Sequence, residues 1–360
     1  MIQQPLSARY SDVATSVMRK HGIPAMAAIT MTSSQIVSAE VHGTRVTGAD
    51  NPATLDDFFH IGSCGKSLLA VMAGKLVEAG KLDWHTRLQD MLPELEPDAN
   101  PAFAGVTLSD LLLCRAGIAA FTAGAEEFPE LNPLKPDVRM EFARFLVAHE
   151  PVTPLQTDGR FPHIYSNASF TIAALMLERA SGFDWETMTH GTLVDGFGLD
   201  VRFGWPNRED AESQPWGHGP DANGKPRPYP PGDPYGLSTL IAPAGDLSMR
   251  PLHYARYVQQ HLRGLRGVDG YISAATTRHI HHAQRGFGLG VGNGRYYGKD
   301  VSQMDGSAGT FYCHTIIVPD GDFAYAVLTN AGGPEAMAGV YELSGHILKQ
   351  RFRWWWKFWL

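Results

Sequence analysis

A serine and a lysine stand three residues apart in the segment Gly62-Ser63-Cys64-Gly65-Lys66. Residues at positions i and i+3 share one helix face, so the amine of Lys66 can lie beside the hydroxyl of Ser63. At a helix start, Ser63 would also gain free backbone N–H groups and the positive end of the dipole. A buried Lys66 would have a lowered pKa and could take the serine proton. The pair predicts a lysine-activated serine nucleophile, and the alternative is a capping serine with an exposed lysine.

A second group of candidate residues is Tyr165-Ser166-Asn167. A Tyr-x-Asn turn can aim a phenol and an amide into one cleft. The phenol of Tyr165 can act as a general base or acid when a lysine charge lies near it. The amide of Asn167 can hydrogen-bond both Lys66 and a substrate carbonyl group. The alternative is a helix-initiating Ser-Asn pair that follows a core tyrosine.

Helices are predicted at the positions that these residues need. Residues 64–79 are apolar on most faces, which indicates a buried helix that begins at the Ser63 motif. Residues 168–181 form another apolar helix directly after Asn167. The same periodicity predicts an amphipathic helix over 6–21 and a closing helix over 334–351.

Strands are predicted near both ends of the chain, at residues 25–31, 35–41, 286–291, 310–318 and 323–329. Residues 319–322 form a hairpin turn between the last two. The middle of the chain, 90–160, mixes short helical stretches with prolines. Residues 205–235 lack apolar periodicity, which predicts a long irregular loop. This order fits an α/β (α+β) fold, in which a sheet built from both chain ends carries a helical insertion.

Length and composition limit the classes of protein to consider. A chain of 360 residues predicts two domains or one large composite domain. Its net charge of −7, without a basic run, argues against a nucleic-acid partner. Three sparse cysteines argue against a disulfide framework, and no Cys/His spacing suggests a metal site. No signal peptide is visible, so a cytoplasmic location is expected.

Together these motifs resemble the serine β-lactamase and penicillin-binding-protein superfamily, on the class C β-lactamase and family VIII esterase side. The resemblance covers about residues 8–350, and the motifs agree in order and spacing. The matching stretches are Gly22-Ile23-Pro24, Phe59-His60-Ile61-Gly62-Ser63-Cys64-Gly65-Lys66, Leu76-Val77-Glu78-Ala79-Gly80-Lys81-Leu82-Asp83, Leu111-Leu112-Leu113-Cys114-Arg115-Ala116-Gly117-Ile118, Tyr165-Ser166-Asn167 and Ala242-Pro243-Ala244-Gly245-Asp246-Leu247.

The third motif of that family is Lys-Thr-Gly or His-x-Gly, on an edge strand beside the nucleophile. The best match here is Met304-Asp305-Gly306-Ser307, in which Met304 replaces the cationic or histidine residue. In the family, that position tunes the tyrosine and helps to hold a substrate carboxylate, so the replacement weakens the case for β-lactams or carboxylate-terminated peptides. The resemblance implies an oxyanion hole from the backbone N–H groups of Ser63 and Ser307. It also implies substrate contacts by Met304, Asp305 and Gly306.

The resemblance further implies a β-lactamase/transpeptidase-like fold, an antiparallel sheet flanked by helices plus an all-helical subdomain. Residues 1–62 and 236–360 would form the sheet domain, and 63–235 the mainly helical subdomain. Ser63 would attack an ester or amide carbonyl after losing its proton to the Lys66/Tyr165 pair. Tyr165 would protonate the leaving group and later activate water. No cofactor and no metal are expected.

Three activities are compatible with these residues. The first is a carboxylesterase-like serine hydrolase that acts on a small ester or amide. The second is an acyltransferase that hands the acyl group to an amine or alcohol, since the choice of acceptor depends on pocket shape and water access. The third is a non-catalytic binding protein, against which the intact Ser63, Lys66, Tyr165 and Asn167 argue.

Two aromatic regions lie outside these motifs. Trp205, Trp216, His218 and Tyr235 lie in or next to the long loop, and we expect some of them to line the acyl or leaving-group pocket. The alternative is that they only pack the loop down. The end of the chain, Trp354-Trp355-Trp356-Lys357-Phe358-Trp359-Leu360, could pack on its own sheet domain or on a sister chain. With flanking basic residues, it could also be an interfacial membrane anchor.

Overall fold

The computed structural model describes residues 9–122, 127–208, 210, 213–222, 224–233, 236–296 and 298–352. The helices in these residues are α1 (Ser11–His21), α2 (Gly65–Glu78), α3 (Leu88–Met91), α4 (Leu108–Leu112), α5 (Val138–Ala148), α6 (Asn167–Ser181), α7 (Trp185–His190), α8 (Pro251–Leu265), α9 (Ala274–His282) and α10 (Pro334–Phe352). The strands are β1 (Ala25–Met31), β2 (Ile36–Gly43), β3 (Phe59–His60), β4 (Val201–Phe203), β5 (Gly217–Pro220), β6 (Pro226–Tyr229), β7 (Leu247–Met249), β8 (Gly292–Tyr296), β9 (Lys299–Ser307), β10 (Tyr312–Val318) and β11 (Phe323–Thr329).

The main sheet has six strands in the order β2-β1-β11-β10-β9-β8, and every neighbouring pair is antiparallel. Strands from the two ends of the chain meet at its centre, where Ala28 of β1 pairs with Val327 of β11. These two strands are buried along their whole length. The predicted antiparallel sheet built from both chain ends is therefore confirmed.

Helices cover both faces of this sheet. On one face, α1 and α10 bury an apolar cluster that includes Val17, Tyr325, Leu343 and Ile347. On the other face, a larger core joins α8 to the helical part of the chain. In the middle of that core, α2 is buried over ten consecutive residues, 65–74, and α6 over residues 168–177. Their position explains why both sequences are apolar on most faces.

The strand predicted at 286–291 is wrong, because the edge strand β8 begins only at Gly292. Gly286 and Gly290 have φ angles of +89° and +76°, which an extended strand does not allow. Gly290 instead lies over α2, where a Cβ atom would come within 2.9 Å of the Lys66 carbonyl oxygen. The glycines in this stretch therefore form a tight turn against the nucleophile helix.

The segment 205–235 is more ordered than the predicted irregular loop. It contains the two-stranded antiparallel pair β5–β6. The backbone N–H of His218 in β5 lies 2.9 Å from the carbonyl oxygens of both Thr310 and Asn330. Thr310 and Asn330 are distant from His218 in the sequence, so local periodicity gives no sign of the contacts that hold β5.

No helix in the described part of the chain is both long and apolar enough to cross a bilayer. The aromatic stretch 354–360 lies outside the described residues. The proposed domain boundaries, at residues 62 and 236, stay a prediction.

Candidate active site

The predicted nucleophile lies at the junction between β3 and α2. A short 3-10 turn, Gly62–Cys64, leads directly into the helix. Gly62 has φ +51°, in the left-handed region that favours glycine, and this conformation turns the chain sharply before Ser63. Ser63 and Tyr165 line a cleft of about 740 Å³. The nucleophile therefore sits at a helix N-terminus that opens onto a cleft.

Lys66 is fully buried and surrounded by three oxygen atoms. Its Nζ lies 3.0 Å from Ser63 Oγ, 2.6 Å from Asn167 Oδ1 and 3.0 Å from the carbonyl oxygen of Ala244. The oxygens of Asn167 and Ala244 can only accept hydrogen bonds, so a neutral amine donates to both and turns its lone pair toward Ser63. Burial lowers the pKa of Lys66 to about 7. Near neutral pH this amine is suited to take the serine proton.

Tyr165 lines the cleft together with Ser63, and the Lys66 Nζ atom lies 4.8 Å from the centre of its ring. The surrounding protein desolvates the phenol and raises its pKa well above the usual value near 10. Tyr165 therefore stays protonated at rest and is better suited to donate a proton than to remove one. Phe287 packs edge-on against its ring, with centroids 5.9 Å apart.

Asn167 is the first residue of α6 and is held in one orientation. Its Nδ2 donates to the carbonyl oxygen of Phe121 at 2.8 Å, which leaves Oδ1 facing Lys66. Ser166 caps the helix by accepting the N–H of Ser169 at 3.0 Å. The structure thus brings together Ser63, Lys66, Tyr165 and Asn167.

Strand β9 approaches the nucleophile turn so closely that only glycine fits at position 306. A Cβ atom there would lie 1.9 Å from the carbonyl oxygen of Ile61 and 2.9 Å from the backbone nitrogen of Cys64. A Cβ atom on Gly62 would likewise lie 2.6 Å from the backbone nitrogen of Ser307. The Ser307 nitrogen therefore lies against the Ser63 turn, an arrangement that can supply two donors to one oxyanion.

Met304 and Asp305 point to opposite faces of the sheet, as successive strand residues do. Met304 is buried on the face of α2 and lines the cleft with Ser63. Asp305 points toward α10, although the cleft continues round the sheet edge to reach it. Its Oδ1 accepts hydrogen bonds from His314 Nδ1 at 2.7 Å and from the Tyr312 hydroxyl at 2.8 Å. These two hydrogen bonds hold the Asp305 carboxylate against β10, and a substrate contact by Asp305 stays a prediction.

The expectation that His218 lines the acyl or leaving-group pocket is wrong. Its ring is completely buried: Nδ1 donates to the carbonyl oxygen of Asn330 at 2.8 Å, and Nε2 accepts the N–H of Thr47 at 3.1 Å. Both ring nitrogens are thus used to hold β5 in place. Trp216 is half-buried beside Arg45, and it is not among the described residues that line the Ser63 cleft. Tyr235 lies outside the described residues.

Several contacts around the site were not predicted. The carbonyl oxygen of Ala244 left no sequence signal, because every residue has one. Phe287 lies in the glycine-rich stretch that was predicted only as a strand, so its contact with Tyr165 was not expected. His60 and Asp246 lie in stretches that carry the family resemblance, yet their types alone suggested no role. Among the described residues, no group of three or more His, Cys, Asp or Glu side chains could hold a metal ion.

Comparison with known proteins agrees with this geometry. The family model described as beta-lactamase matches residues 11–344. An octameric penicillin-binding protein homologue from Pyrococcus abyssi shares the fold with a TM-score of 0.76 at 20% identity, covering 95% of this chain and 77% of that one. A class C beta-lactamase from Rhodobacter sphaeroides gives 0.72 at 18% identity, covering 95% and 100%.

A third similar structure is the D-alanine carboxypeptidase AmpC from Burkholderia cenocepacia. It gives a TM-score of 0.70 at 19% identity and covers 93% of this chain and 98% of that one. At such identities, these three structures show the fold alone. The family match covers nearly the whole chain, and the chain therefore belongs to the beta-lactamase family, whose members are generally serine hydrolases.

Proposed function

We propose that this protein is a carboxylesterase-like serine hydrolase that cleaves an ester, or a related amide, through an acyl-enzyme on Ser63. The observation that carries the proposal is the arrangement of three oxygen atoms around the amine of Lys66. Two oxygens that can only accept hydrogen bonds orient its amine, and Ser63 Oγ occupies the third position at 3.0 Å. With a pKa of about 7, Lys66 can be neutral when it meets the serine hydroxyl.

Acylation then follows from these positions. Lys66 takes the Ser63 proton as Oγ forms a bond to the substrate carbonyl carbon. The negative charge on the carbonyl oxygen is stabilised by the backbone N–H groups of Ser63 and Ser307. Tyr165 donates its proton to the leaving oxygen as the bond from carbon to that oxygen breaks, and the lysine proton restores the phenol.

Deacylation reverses the proton movements with water as the nucleophile. The neutral amine of Lys66 removes a proton from water as the water attacks the acyl carbonyl carbon. The same two backbone N–H groups stabilise the oxyanion. The bond to Ser63 Oγ then breaks, the proton returns to that oxygen, and the carboxylic acid product leaves.

The lining of the cleft supports an uncharged ester over a carboxylate-terminated peptide. Met304 stands where family members carry a cation or histidine, and Phe287 and Val301 add further apolar surface. The arginine on the lining, Arg295, is paired with Asp300 at 3.3 Å at the exposed end of β8. The lining near Ser63 therefore suits an apolar acyl or alcohol group.

The test is burst kinetics with p-nitrophenyl acetate and butyrate, together with labelling by a fluorophosphonate. We expect the wild-type protein to release a burst of nitrophenol equal to the enzyme concentration and to be labelled. Ser63→Ala should lose both the burst and the label. Ser34→Ala, an exposed serine in the β1–β2 turn, is the matched control and should keep both. Undiminished labelling of Ser63→Ala would overturn the assignment, and a wild-type protein without burst or label would favour a binding protein.

Acyl transfer is a second candidate, favoured by the extent of the cleft. It continues from Ser63 round the sheet edge to Tyr341 and Leu348 on α10, which leaves room for an acceptor beside the acyl group. Product analysis with an ester, with and without an added primary amine, distinguishes the two activities. Amide product in excess of acid at millimolar amine would identify a transferase, and acid alone a hydrolase.

A further inference from the structure

A buried histidine stands directly behind the nucleophile turn. His60 is 1% exposed, and its Nδ1 lies 3.0 Å from the backbone nitrogen of Gly62. Its Nε2 lies 2.9 Å from Asp246 Oδ1. The Gly62 N–H can only donate, so Nδ1 must be the unprotonated nitrogen of the ring. The proton therefore sits on Nε2 and is donated to Asp246, which fixes the tautomer and the orientation of the imidazole.

Gly62, the residue that His60 holds, is packed tightly on two sides. A Cβ atom on Gly62 would lie 2.6 Å from the backbone nitrogen of Ser307. A Cβ atom on Gly245 would lie 2.0 Å from the carbonyl oxygen of Gly62. Any rotation of the Gly62 peptide would therefore change the distance between the backbone nitrogens of Ser63 and Ser307.

The segment that orients His60 also reaches the proposed base. Ala244, two residues before Asp246, accepts a hydrogen bond from Lys66 Nζ at 3.0 Å. Gly245, between them, would place a Cβ atom 3.1 Å from Ser63 Cα. Residues 244–246 thus contact the lysine, the serine and the histidine in turn. A histidine that only packed in the core would not need a partner segment that also contacts the lysine and the serine.

We infer that His60, oriented by Asp246, is a positioning residue that holds the Gly62 peptide so that the N–H groups of Ser63 and Ser307 point at one oxyanion. The inference rests on the proposed function and adds a supporting pair to it. His60 does not touch the substrate, because it is buried behind the turn. It acts through its hydrogen bond with the Gly62 N–H, which keeps the N–H groups of Ser63 and Ser307 directed at the oxyanion of the transition state.

Two matched variants separate the two hydrogen bonds of the ring. In His60→Asn, the side-chain oxygen can take the place of Nδ1 and accept the Gly62 N–H, while the link to Asp246 is lost. In His60→Gln, the longer side chain can still donate to Asp246, while the Gly62 N–H loses its acceptor. A second pair tests the orienting carboxylate, since Asp246→Asn keeps the Oδ1 acceptor and Asp246→Ala removes it.

The measurements are the burst rate constant with p-nitrophenyl butyrate, KM, and the midpoint of thermal unfolding. We expect His60→Gln to acylate up to about a hundredfold more slowly with KM nearly unchanged, because losing an oxyanion donor outright costs about a hundredfold or more and misaligning one costs less. His60→Asn and Asp246→Asn should stay within a few-fold of the wild-type rate, and Asp246→Ala should fall with His60→Gln. Equal losses within each pair, or losses that follow the unfolding midpoint, would overturn the inference. If neither His60 variant folds, the two Asp246 variants decide in the same way.

A readout without catalysis keeps this inference distinct from the proposed function. Hydrogen–deuterium exchange of the peptide that spans residues 60–66 reports the Gly62 amide directly. We expect faster exchange in His60→Gln than in His60→Asn at equal global stability, and equal exchange would overturn the inference. If the wild-type protein reacts with no ester and no fluorophosphonate, while the two His60 variants still differ in exchange, only the proposed function is refuted.

Discussion

Lys66 is the residue whose ionisation should control acylation. Burial lowers its pKa to about 7, and the neutral amine is the form that can accept the serine proton. The acylation rate constant should therefore rise about tenfold per pH unit below pH 7 and level off above it. Stopped-flow measurement of the p-nitrophenyl butyrate burst between pH 5.5 and 9 checks this prediction. A flat wild-type profile would contradict the role of Lys66 as base.

A pair of conservative variants on one helix sharpens this prediction. Lys66→Arg places a guanidinium that does not lose its proton beside Ser63, so acylation should fall at least about a hundredfold at every pH. Lys75→Arg changes an exposed lysine of α2 whose Nζ donates to the Tyr271 carbonyl oxygen at 2.9 Å. This control should keep the wild-type rate and pH profile.

Met304 occupies the position at which the resemblance to the family predicts a cation or a histidine, and it lines the cleft with Ser63. Met304→Lys would introduce an ammonium group into the cleft lining, where it can attract an anionic substrate. We expect kcat/KM for a succinate monoester to rise about threefold to tenfold relative to a neutral butyrate ester. Met304→Leu, which conserves volume and neutrality, should leave that ratio unchanged. An unchanged ratio in Met304→Lys would mean that the side chain at 304 does not face the acyl group.

At the scale of elements, the approach of β9 to the nucleophile turn is the contact on which the proposed oxyanion hole depends. Gly306→Ala would place a Cβ atom 1.9 Å from the Ile61 carbonyl oxygen, so the strand and the turn must move apart. Acylation should fall about a hundredfold, with a loss of about 1–3 kcal/mol in the free energy of unfolding. Gly105→Ala, where a Cβ atom meets nothing within 4 Å, is the control. Burst kinetics and urea unfolding of both variants check this, and an unchanged burst in Gly306→Ala would contradict it.

The same elements show what the sequence could predict and why. Strands β1 and β11 and the helices α2 and α6 were predicted to within a residue or two, because their apolar runs are long and fully buried. Ser63 and Lys66 could be paired because helix geometry alone relates positions i and i+3. Tyr165 and Asn167 could be predicted as site residues because the Tyr-x-Asn segment lies just before an apolar helix.

The edge of the sheet could not be predicted from local pattern. Strand β8 is mostly exposed and pairs on one side only, so it lacks the apolar alternation that marks a strand. His218 was assigned to the substrate because of its place in the long loop. Its hydrogen bond to Asn330, 112 residues away in the sequence, exists only after folding.

At the scale of the whole molecule, the candidate site exists only when distant parts of the chain are folded together. Its groups come from residues 60–66, 165–167, 244–246 and 304–307, which lie on different elements. Global unfolding therefore separates all the catalytic groups together. Conditions that unfold the core thus limit the range over which the protein is active. The buried histidines of α8 and α9 define one such condition.

His261 and His281 form a buried pair in the larger core. His261 Nδ1 lies 2.8 Å from His281 Nε2, and the other two ring nitrogens have no hydrogen-bond partner among the described residues. Burial lowers the pKa of His261 to about 4, and burial together with nearby histidines lowers the pKa of His281 well below 6.5. Neither ring can gain a second proton without placing an unpaired charge in the core.

This pair predicts a loss of stability in mild acid. The unfolded chain takes up protons as pH falls through about 6.5, whereas folded His261 stays neutral until about pH 4, and the pKa of folded His281 lies well below 6.5. The contribution of the neutral rings to the free energy of unfolding is therefore fully present above pH 6.5. Between pH 6.5 and 5, His261 removes about 2 kcal/mol of it, and His281 lowers it in the same direction. Replacing both rings in His261→Leu/His281→Leu removes the titration and leaves no unpaired partner, so between pH 7 and pH 5 this variant should lose at least about 2 kcal/mol less free energy of unfolding than wild type. Urea unfolding at pH 7 and pH 5 measures the difference, with His346→Leu on the exposed face of α10 as the control. Equal losses in wild type and the double variant would show that other groups govern acid unfolding.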